Sequence, residues 1–125
     1  MTLVELLEDV YLKLTSSVEL ENLLGGIEKI YDFLPGSETP GPYVVIGDIQ
    51  ETEGRVLSAE ERQVNLRIII WSSYRGRSQC IAIARQIENI LEKSDYIFES
   101  FDMNRDSEGW TQGILTFRIY IERRN

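Results

Sequence analysis

The sequence has 125 residues, 42% of them hydrophobic, with a formal net charge of −8 that arises from 21 acidic and 13 basic residues. This length fits one domain with a buried core, and the acidic balance argues against nucleic-acid binding, which requires a basic surface. The sequence has no histidine, the commonest general base and metal ligand, so its composition favours a binding or assembly protein over an enzyme.

The targeting and redox signals are equally restrictive. No apolar run approaches the roughly 18–20 residues needed to span a bilayer, and the N-terminus lacks the basic and then apolar pattern of a secretory signal. Cys80 is the single cysteine, which excludes an internal disulfide and a Cys-rich zinc site. We therefore expect a soluble, cytosolic protein.

The N-terminal part of the chain predicts helices. Thr2 and Glu5 have the spacing of a capping box, and the apolar residues that follow recur every three or four positions, which predicts an amphipathic helix over 3–14. Residues 18–30 have helical spacing too, but Gly25-Gly26 interrupts it. We expect a short helix there and then an irregular turn.

Strand signals follow a connector rich in proline and glycine. A first strand opens at Tyr43, and the clearest strand covers 64–71, where a wholly apolar face alternates with a mixed one. That alternation is typical of a sheet with one face buried and the other partly covered. The polar residues between these strands predict a long, mobile hairpin loop over 51–62.

The second half of the chain predicts a helix and two strands. After Arg77, one apolar stripe has helical spacing, and it consists of Cys80, Ile83, Ala84, Ile87, Ile90 and Leu91. Residues 96–101 alternate weakly and residues 115–121 strongly. The order α-β-β-α-β-β predicts a single α+β domain over 1–125, with helices packed on one face of a mainly antiparallel sheet.

One motif has the spacing of a calcium-binding loop. Asp102, Asn104 and Asp106 match its first ligand positions, but Ser107 replaces the glycine of the sharp turn and Gly113 replaces the bidentate glutamate. Aspartate, asparagine and glycine are also common in hairpin connections. We therefore interpret this segment as a solvated loop and predict no metal site.

Two other sets of residues carry candidate chemistry. The carboxylate pairs Glu60-Glu61 and Asp106 with Glu108 could do acid-base work, but they lie in predicted exposed loops without an apolar pocket to raise a pKa. Cys80 lies on the apolar stripe of its helix, where cysteine is usually a small buried hydrophobic residue. Neither set predicts a catalytic residue.

The tryptophans have different surroundings. Trp71 ends the core strand and is interpreted as strand packing. Trp110 lies in a polar loop next to a glycine, where it is a candidate anchor for a protein interface.

A succession of short segments runs through the sequence. In order they are Ile30-Tyr31-Asp32, Pro42-Tyr43-Val44-Val45-Ile46, Ile70-Trp71-Ser72, Gly76-Arg77 before a helix, and Leu115-x-Phe117-x-Ile119. This succession resembles the tail-completion, or tail-to-head joining, proteins of long-tailed phages and prophages, which include tail terminators. The resemblance extends over about residues 3–122.

This resemblance implies a structural, non-enzymatic protein without a cofactor. Its fold would be the tail terminator-like α+β domain, and six copies would form a ring at the end of the tail tube, although the free protein can be a monomer. Its partners would be the tail-tube protein and head-side connector proteins, with no membrane and no sequence-specific nucleic acid. It would act in the cytoplasm of the host bacterium during assembly and then in the virion tail.

The polar loop is the segment that we expect to contact other subunits or partners. Its mixed charges suit complementary pairing at a repeated interface. Together with the tryptophan above, the candidate interface residues are Glu51, Glu53, Arg55, Glu60, Glu61, Arg62 and Trp110.

Two other classes fit the same residues. A non-catalytic binding or adaptor domain of a bacterial regulatory system would be a solution monomer that tail proteins do not affect. A small carboxylate-dependent enzyme would need two acids brought together in a pocket.

Overall fold

The computed structural model describes residues 1–36, 38–53, 61–73, 77–106 and 108–122. Three α-helices, one 3₁₀ turn and five strands lie within these ranges. In chain order they are α1 (Leu3–Thr15), α2 (Val18–Leu24), the 3₁₀ turn (Ile27–Lys29), β1 (Ile30–Tyr31), β2 (Tyr43–Glu53), β3 (Glu61–Ser72), α3 (Ser78–Glu92), β4 (Ile97–Arg105) and β5 (Thr111–Glu122). The predicted α+β class is confirmed.

The five strands form one sheet in the order β1-β2-β3-β5-β4. The two-residue β1 runs parallel to β2, and every other neighbouring pair is antiparallel. Strands β3 and β5 pair along twelve positions, from Glu61 opposite Glu122 to Ser72 opposite Thr111. The predicted mainly antiparallel sheet is therefore confirmed, with β1 and β4 at its two lateral edges.

The core lies between the helices and one face of this sheet. The buried positions of β3 and β5 alternate along each strand, and they include Val64, Leu66, Ile68, Ile70, Leu115, Phe117, Ile119 and Ile121. From the helical side, α3 contributes Cys80, Ile83, Ala84, Ile87 and Leu91 to the same cluster. The stripe predicted for this helix is confirmed. None of the helices in the described ranges is long and apolar enough to cross a membrane.

Local capping explains where the first two helices begin and end. The Thr2 hydroxyl accepts a hydrogen bond from the Glu5 amide at 3.0 Å, and the Glu5 carboxylate accepts one from the Thr2 amide at 2.8 Å. This reciprocal pair satisfies two amides that α1 leaves open at its N-terminus. Gly25, with φ of +87°, ends α2 in the left-handed conformation that glycine adopts without strain. The ambiguous residues 18–30 thus form α2, the 3₁₀ turn and the start of β1.

The predicted hairpin loop over 51–62 is wrong at both ends. Strand β2 continues to Glu53 and β3 begins at Glu61, with Glu51 opposite Val64 and Glu53 opposite Arg62. The polar side chains misled the prediction because strand pairing satisfies backbone groups and does not require apolar side chains. Residues 54–60 lie outside the described part of the chain.

The solvated-loop interpretation of the calcium-like motif is wrong for its first residues. Asp102 and Asn104 lie within β4, opposite Ile114 and Gln112 of β5. Strand β5 pairs without interruption with this part of β4, from Ser100 to Arg105. Strand β4 therefore continues past the segment 96–101 that the sequence predicts as a strand. Asp106, by contrast, lies in the turn that follows β4.

Candidate functional site

The candidate interface residues on β2 and β3 form a charged hairpin arm, which we define as residues 50–53 with 61–63. Glu51 and Glu53 are exposed, while Glu61 and Arg62 are half-buried. Glu53 faces Arg62 in register, which places opposite charges at the end of the arm. Arg55 and Glu60 lie outside the described residues.

Trp110 is positioned by the turn that joins β4 to β5. The Asp106 carboxylate accepts hydrogen bonds from the amides of Glu108 and Trp110, both at 2.9 Å, and the Asp106 amide donates to the Trp110 carbonyl at 2.9 Å. Gly109 has φ of +91°, which a residue with a side chain adopts only with strain. These bonds give Asp106 a structural role and hold the indole against the sheet.

The indole of Trp110 belongs to an aromatic row that crosses one end of the sheet. Its ring centroid lies 6.3 Å from that of Trp71 and 6.0 Å from that of Tyr43. Tyr43 contacts Tyr31 at 5.8 Å, and Tyr31 contacts Phe33 at 5.9 Å. All four contacts are edge-to-face, the geometry that the charge distribution of aromatic rings favours.

This row is closely packed in its middle and open at its ends. Burial, together with the neighbouring Tyr31, raises the pKa of the Tyr43 phenol. A Cβ on Gly41 would lie 2.8 Å from the Trp110 ring, so a larger residue there would displace the indole. Trp110 itself is half-buried, and Phe33 is 64% exposed.

The structure does not bring all the predicted interface residues together. Trp110 packs beside Tyr43 at the start of β2, whereas the arm lies at the end of that strand. At the usual rise of a strand, the eleven residues from Tyr43 to Glu53 span roughly 30 Å. The two candidate features are therefore separate surfaces.

Sequence reasoning missed an apolar groove between α1 and the β1 edge of the sheet. The groove has a volume of about 870 Å³, and its apolar lining consists of Val4, Leu7, Tyr11, Leu12, Ile30, Tyr31, Phe33 and Ile46. Val4 is 67% exposed and Leu12 is 65% exposed. Through Tyr31 and Phe33, the groove is continuous with the aromatic row.

The groove has both a sequence signal and a distinctive charge. Val4, Tyr11 and Leu12 form a second apolar stripe on α1, because positions seven and eight apart share one helical face. The first stripe, Leu6, Val10 and Leu14, is fully buried. Acidic residues accompany the apolar lining, and they are Glu8, Glu28 and Asp32, all exposed.

The remaining candidate chemistry is dispersed. Cys80 is buried as predicted, and burial raises the pKa of its thiol to about 11, which disfavours the reactive thiolate. Within the described ranges, no group of three or more cysteine, aspartate or glutamate side chains could hold a metal ion. The features that stand out in this part of the chain are the arm, the aromatic row and the groove.

Comparisons with known proteins point to one family. The family model described as "Tail completion protein gp17" matches residues 8–122. A chain in the virion of a native gene transfer agent particle is 20% identical with a TM-score of 0.79, covering 90% of this chain and 91% of that one. Bacteriophage SPP1 gp17 protein is 20% identical with a TM-score of 0.60, covering 98% of this chain and 92% of that one. A comparison with curated protein sequences found no match.

Proposed function

The chain belongs to the tail completion protein family gp17, and from that membership we propose that six copies form a ring at the end of a phage tail tube and join the tail to the head. The observation that carries this proposal is the family match over residues 8–122, which includes all five strands and α3. Membership of this family supports a role in virion assembly. The ring and the joining step are our extension of that role.

In this proposal the chain acts as a single domain over 1–125 and performs no catalysis. One side of the ring contacts the tail-tube protein and the other contacts head-side connector proteins. Assembly takes place in the cytoplasm of the host bacterium, after which the protein stays in the virion tail. The gene transfer agent match supports this location, because that relative is itself part of a virion.

The shape of the sheet is compatible with a closed ring. A ring built head to tail needs two unlike surfaces on each copy, since the same two patches meet at every joint. The sheet has unlike lateral edges, because β1 has two residues and β4 has nine. Each copy can therefore present a different edge to each neighbour.

We assign partner contacts to the hairpin arm and its connection. The residues proposed are Glu51, Glu53, Arg55, Glu60, Glu61 and Arg62, with Trp110 as an apolar anchor on the separate surface at the other end of β2. Glu51 and Glu53 are exposed and Arg62 is half-buried, and charges of both signs suit a docking surface that selects its partner by complementary charge. In this proposal the arm and its connection contact neighbouring subunits or the tail tube.

The test shortens the connection and removes only Glu61, the first residue of β3, from the strands. Replacing residues 54–61 by Asn-Gly joins Glu53 to Arg62 through a two-residue turn, which the paired strands can accept. The thermal melt should stay cooperative, but native mass spectrometry should show no ring, or the protein should no longer attach to tails assembled without it.

Point variants sharpen this test. Glu53→Lys alters the arm, and Glu92→Lys places the same change on an exposed position of α3 as a control. Only the arm variant should weaken assembly. If the shortened protein still completes infectious tails, the connection is only a linker and our assignment of these residues is wrong. If the unmodified chain stays monomeric alone and with tails, the ring is wrong and the adaptor alternative gains support.

A further inference from the structure

The groove between α1 and β1 is an uncovered apolar surface. Val4 and Leu12 on α1 and Phe33 opposite them are each more than 60% exposed, with fractions of 67%, 65% and 64%. Contiguous apolar surfaces of this kind, edged by charge, usually mark places where another molecule docks. The charges here are all negative, from Glu8, Glu28 and Asp32.

The opposite side of the molecule has a surface of the complementary kind. Helix α3 and the adjoining strand β4 form a seam, which we define as Arg77, Ile81, Arg85, Phe101, Met103 and Arg105. Ile81 is 36% exposed, and the Arg85 guanidinium lies over the Phe101 ring at 5.5 Å from its centroid. All three arginines are exposed, and Arg85 also forms an ion pair with Glu88 of α3 at 2.7 Å. The seam therefore combines apolar side chains with positive charge.

The groove and the seam lie at the same end of the sheet. Strand β1 pairs with Val44 and Val45 near the start of β2, where Tyr43 faces Trp71 at the end of β3. At the same end of the sheet, Ser72 of β3 pairs with Thr111 of β5, and Thr111 pairs in turn with Arg105 of β4. Because β1 and β4 are the two lateral edges of the sheet, the groove and the seam lie at the same height along the strands but at opposite edges.

We propose that the α1–β1 groove of one copy receives the α3–β4 seam of a second copy, and that this contact forms the joint of the ring. The inference rests on the ring proposed above and assigns its two unlike surfaces. Three acidic side chains accompany the apolar lining of the groove and three arginines accompany the apolar residues of the seam, so the contact pairs opposite charges around an apolar centre.

Charge also selects this arrangement over a symmetric pairing. Two grooves facing each other would bring their acidic rims together, which costs free energy through like-charge repulsion. The seam has an independent need for cover, since β4 is an edge strand whose outer side pairs with no other described strand. Unpaired strand edges of this length tend to associate with another chain unless they are protected.

Cysteine cross-linking tests which surfaces meet. Leu12→Cys and Ile81→Cys are made separately in the full chain, and the two proteins are mixed under the conditions in which rings form. A short bis-maleimide should then cross-link the mixture into pairs and leave each variant alone uncross-linked. The native Cys80 is buried, so it does not compete for the reagent.

A matched pair of charge variants tests the energetics. Leu12→Glu should weaken association by about tenfold or more, as expected when an apolar anchor of an interface becomes charged. Val18→Glu is the control, because Val18 is 63% exposed on α2 and does not line the groove. It should leave both association and the thermal melt unchanged. Analytical ultracentrifugation over a range of protein concentrations measures the association of both variants.

The outcomes separate this inference from the ring itself. If rings form but the mixture gives no cross-links, the groove–seam contact is wrong and the ring proposal stands. The same conclusion follows if ring formation tolerates Leu12→Glu as well as Val18→Glu. Cross-linking of Leu12→Cys with itself would show groove-to-groove pairing and would also overturn it. If no ring forms with the unmodified chain, alone or with tails, both proposals are wrong.

Discussion

Tyr96 donates a hydrogen bond of 2.8 Å to the carboxylate of Asp9, across 87 positions of the sequence. The other oxygen of Asp9 accepts a bond of 2.7 Å from Lys13, one turn later on α1. Tyr96 is 3% exposed and immediately precedes β4. This bond therefore fastens the helix that carries the groove to the part of the chain that begins the opposite edge strand.

The first prediction concerns the pH dependence of this contact. Partial burial raises the pKa of Asp9, but hydrogen bonds from Lys13 and Tyr96 outweigh it, so its net pKa is below the usual value of 3.8. A lowered pKa stabilises the fold above the unfolded pKa, and this contribution disappears as the pH falls through the folded pKa. Asp9→Asn should therefore cost about 1–2 kcal/mol of unfolding free energy at pH 7 and progressively less below pH 4.

Urea denaturation at several pH values measures this effect. Asp48→Asn is the control, because the Asp48 side chain is 84% exposed and its contact with Arg67 is 4.0 Å long. It should change the unfolding free energy little at any pH. An Asp9→Asn cost that stays constant down to pH 2 would contradict the assigned contact.

The second prediction concerns the core strand. Ile68 is fully buried beneath α3, so Ile68→Ala should lower the unfolding free energy by roughly 2–5 kcal/mol, through lost apolar contact and the cavity left behind. Ile97→Ala makes the same change at a position that is 39% exposed, and it should cost less than about 1 kcal/mol. Thermal and urea denaturation measure the loss of unfolding free energy in the two variants. Equal losses in both variants would contradict the packing of β3.

The third prediction concerns a close approach between β5 and α3. A Cβ on Gly113 would lie 2.5 Å from the Cys80 sulfur and 3.0 Å from the Phe101 ring. Gly113→Ala should therefore destabilise the protein by about 1–3 kcal/mol, as overpacking of a core does. Adding Cys80→Ala removes the nearer obstacle, so the double variant should lose less than the sum of the single variants.

Gly36, which has free space around its Cα, provides the matched control for the Gly113→Ala and Cys80→Ala variants. A Cβ on Gly36 meets no atom within 4 Å, and Gly36→Ala should leave the denaturation midpoint unchanged or slightly raised. If Gly113→Ala behaves like Gly36→Ala, the strand and helix do not approach as closely as described.

The fourth prediction is that calcium has no effect on stability. Asp102 and Asn104 lie two residues apart on a strand, and the Asp106 carboxylate is already bonded to two turn amides. These side chains are therefore not arranged as a calcium loop, in which ligands converge on one point. Melting temperature should be the same with calcium and with a chelator. A rise at submillimolar calcium would show binding to the folded state and contradict this.

The sequence alone determined the elements whose signals are local. The capping box of Thr2 and Glu5 and the apolar spacing of α1 depend on residues within one or two helical turns, and both are confirmed. The alternation along β3 and β5 likewise needs only the side-chain period of a strand. The family resemblance drew on the same local segments in their order, and the family match confirms it.

Strand extent was decided by tertiary structure. Glu51–Glu53 and Asp102–Arg105 are too polar to predict strands, yet each segment lies beside a partner strand that satisfies its backbone groups. The two-residue β1 exists only because Ile30 and Tyr31 meet the start of β2. Such pairing depends on the partner strand and not on the side chains of the segment itself, so the polarity pattern of the segment does not record it.

The candidate surfaces depend on packing in the same way. Helix α1 carries two apolar stripes, and their composition does not say which one is covered; the packing of the helices and sheet buries Leu6 and Leu14 and leaves Leu12 open. Trp110 lies near Tyr43 and Trp71 only because the β4–β5 turn folds over the end of the sheet. Residue type fixes what a side chain can contact, whereas the assembled sheet fixes which neighbours it has.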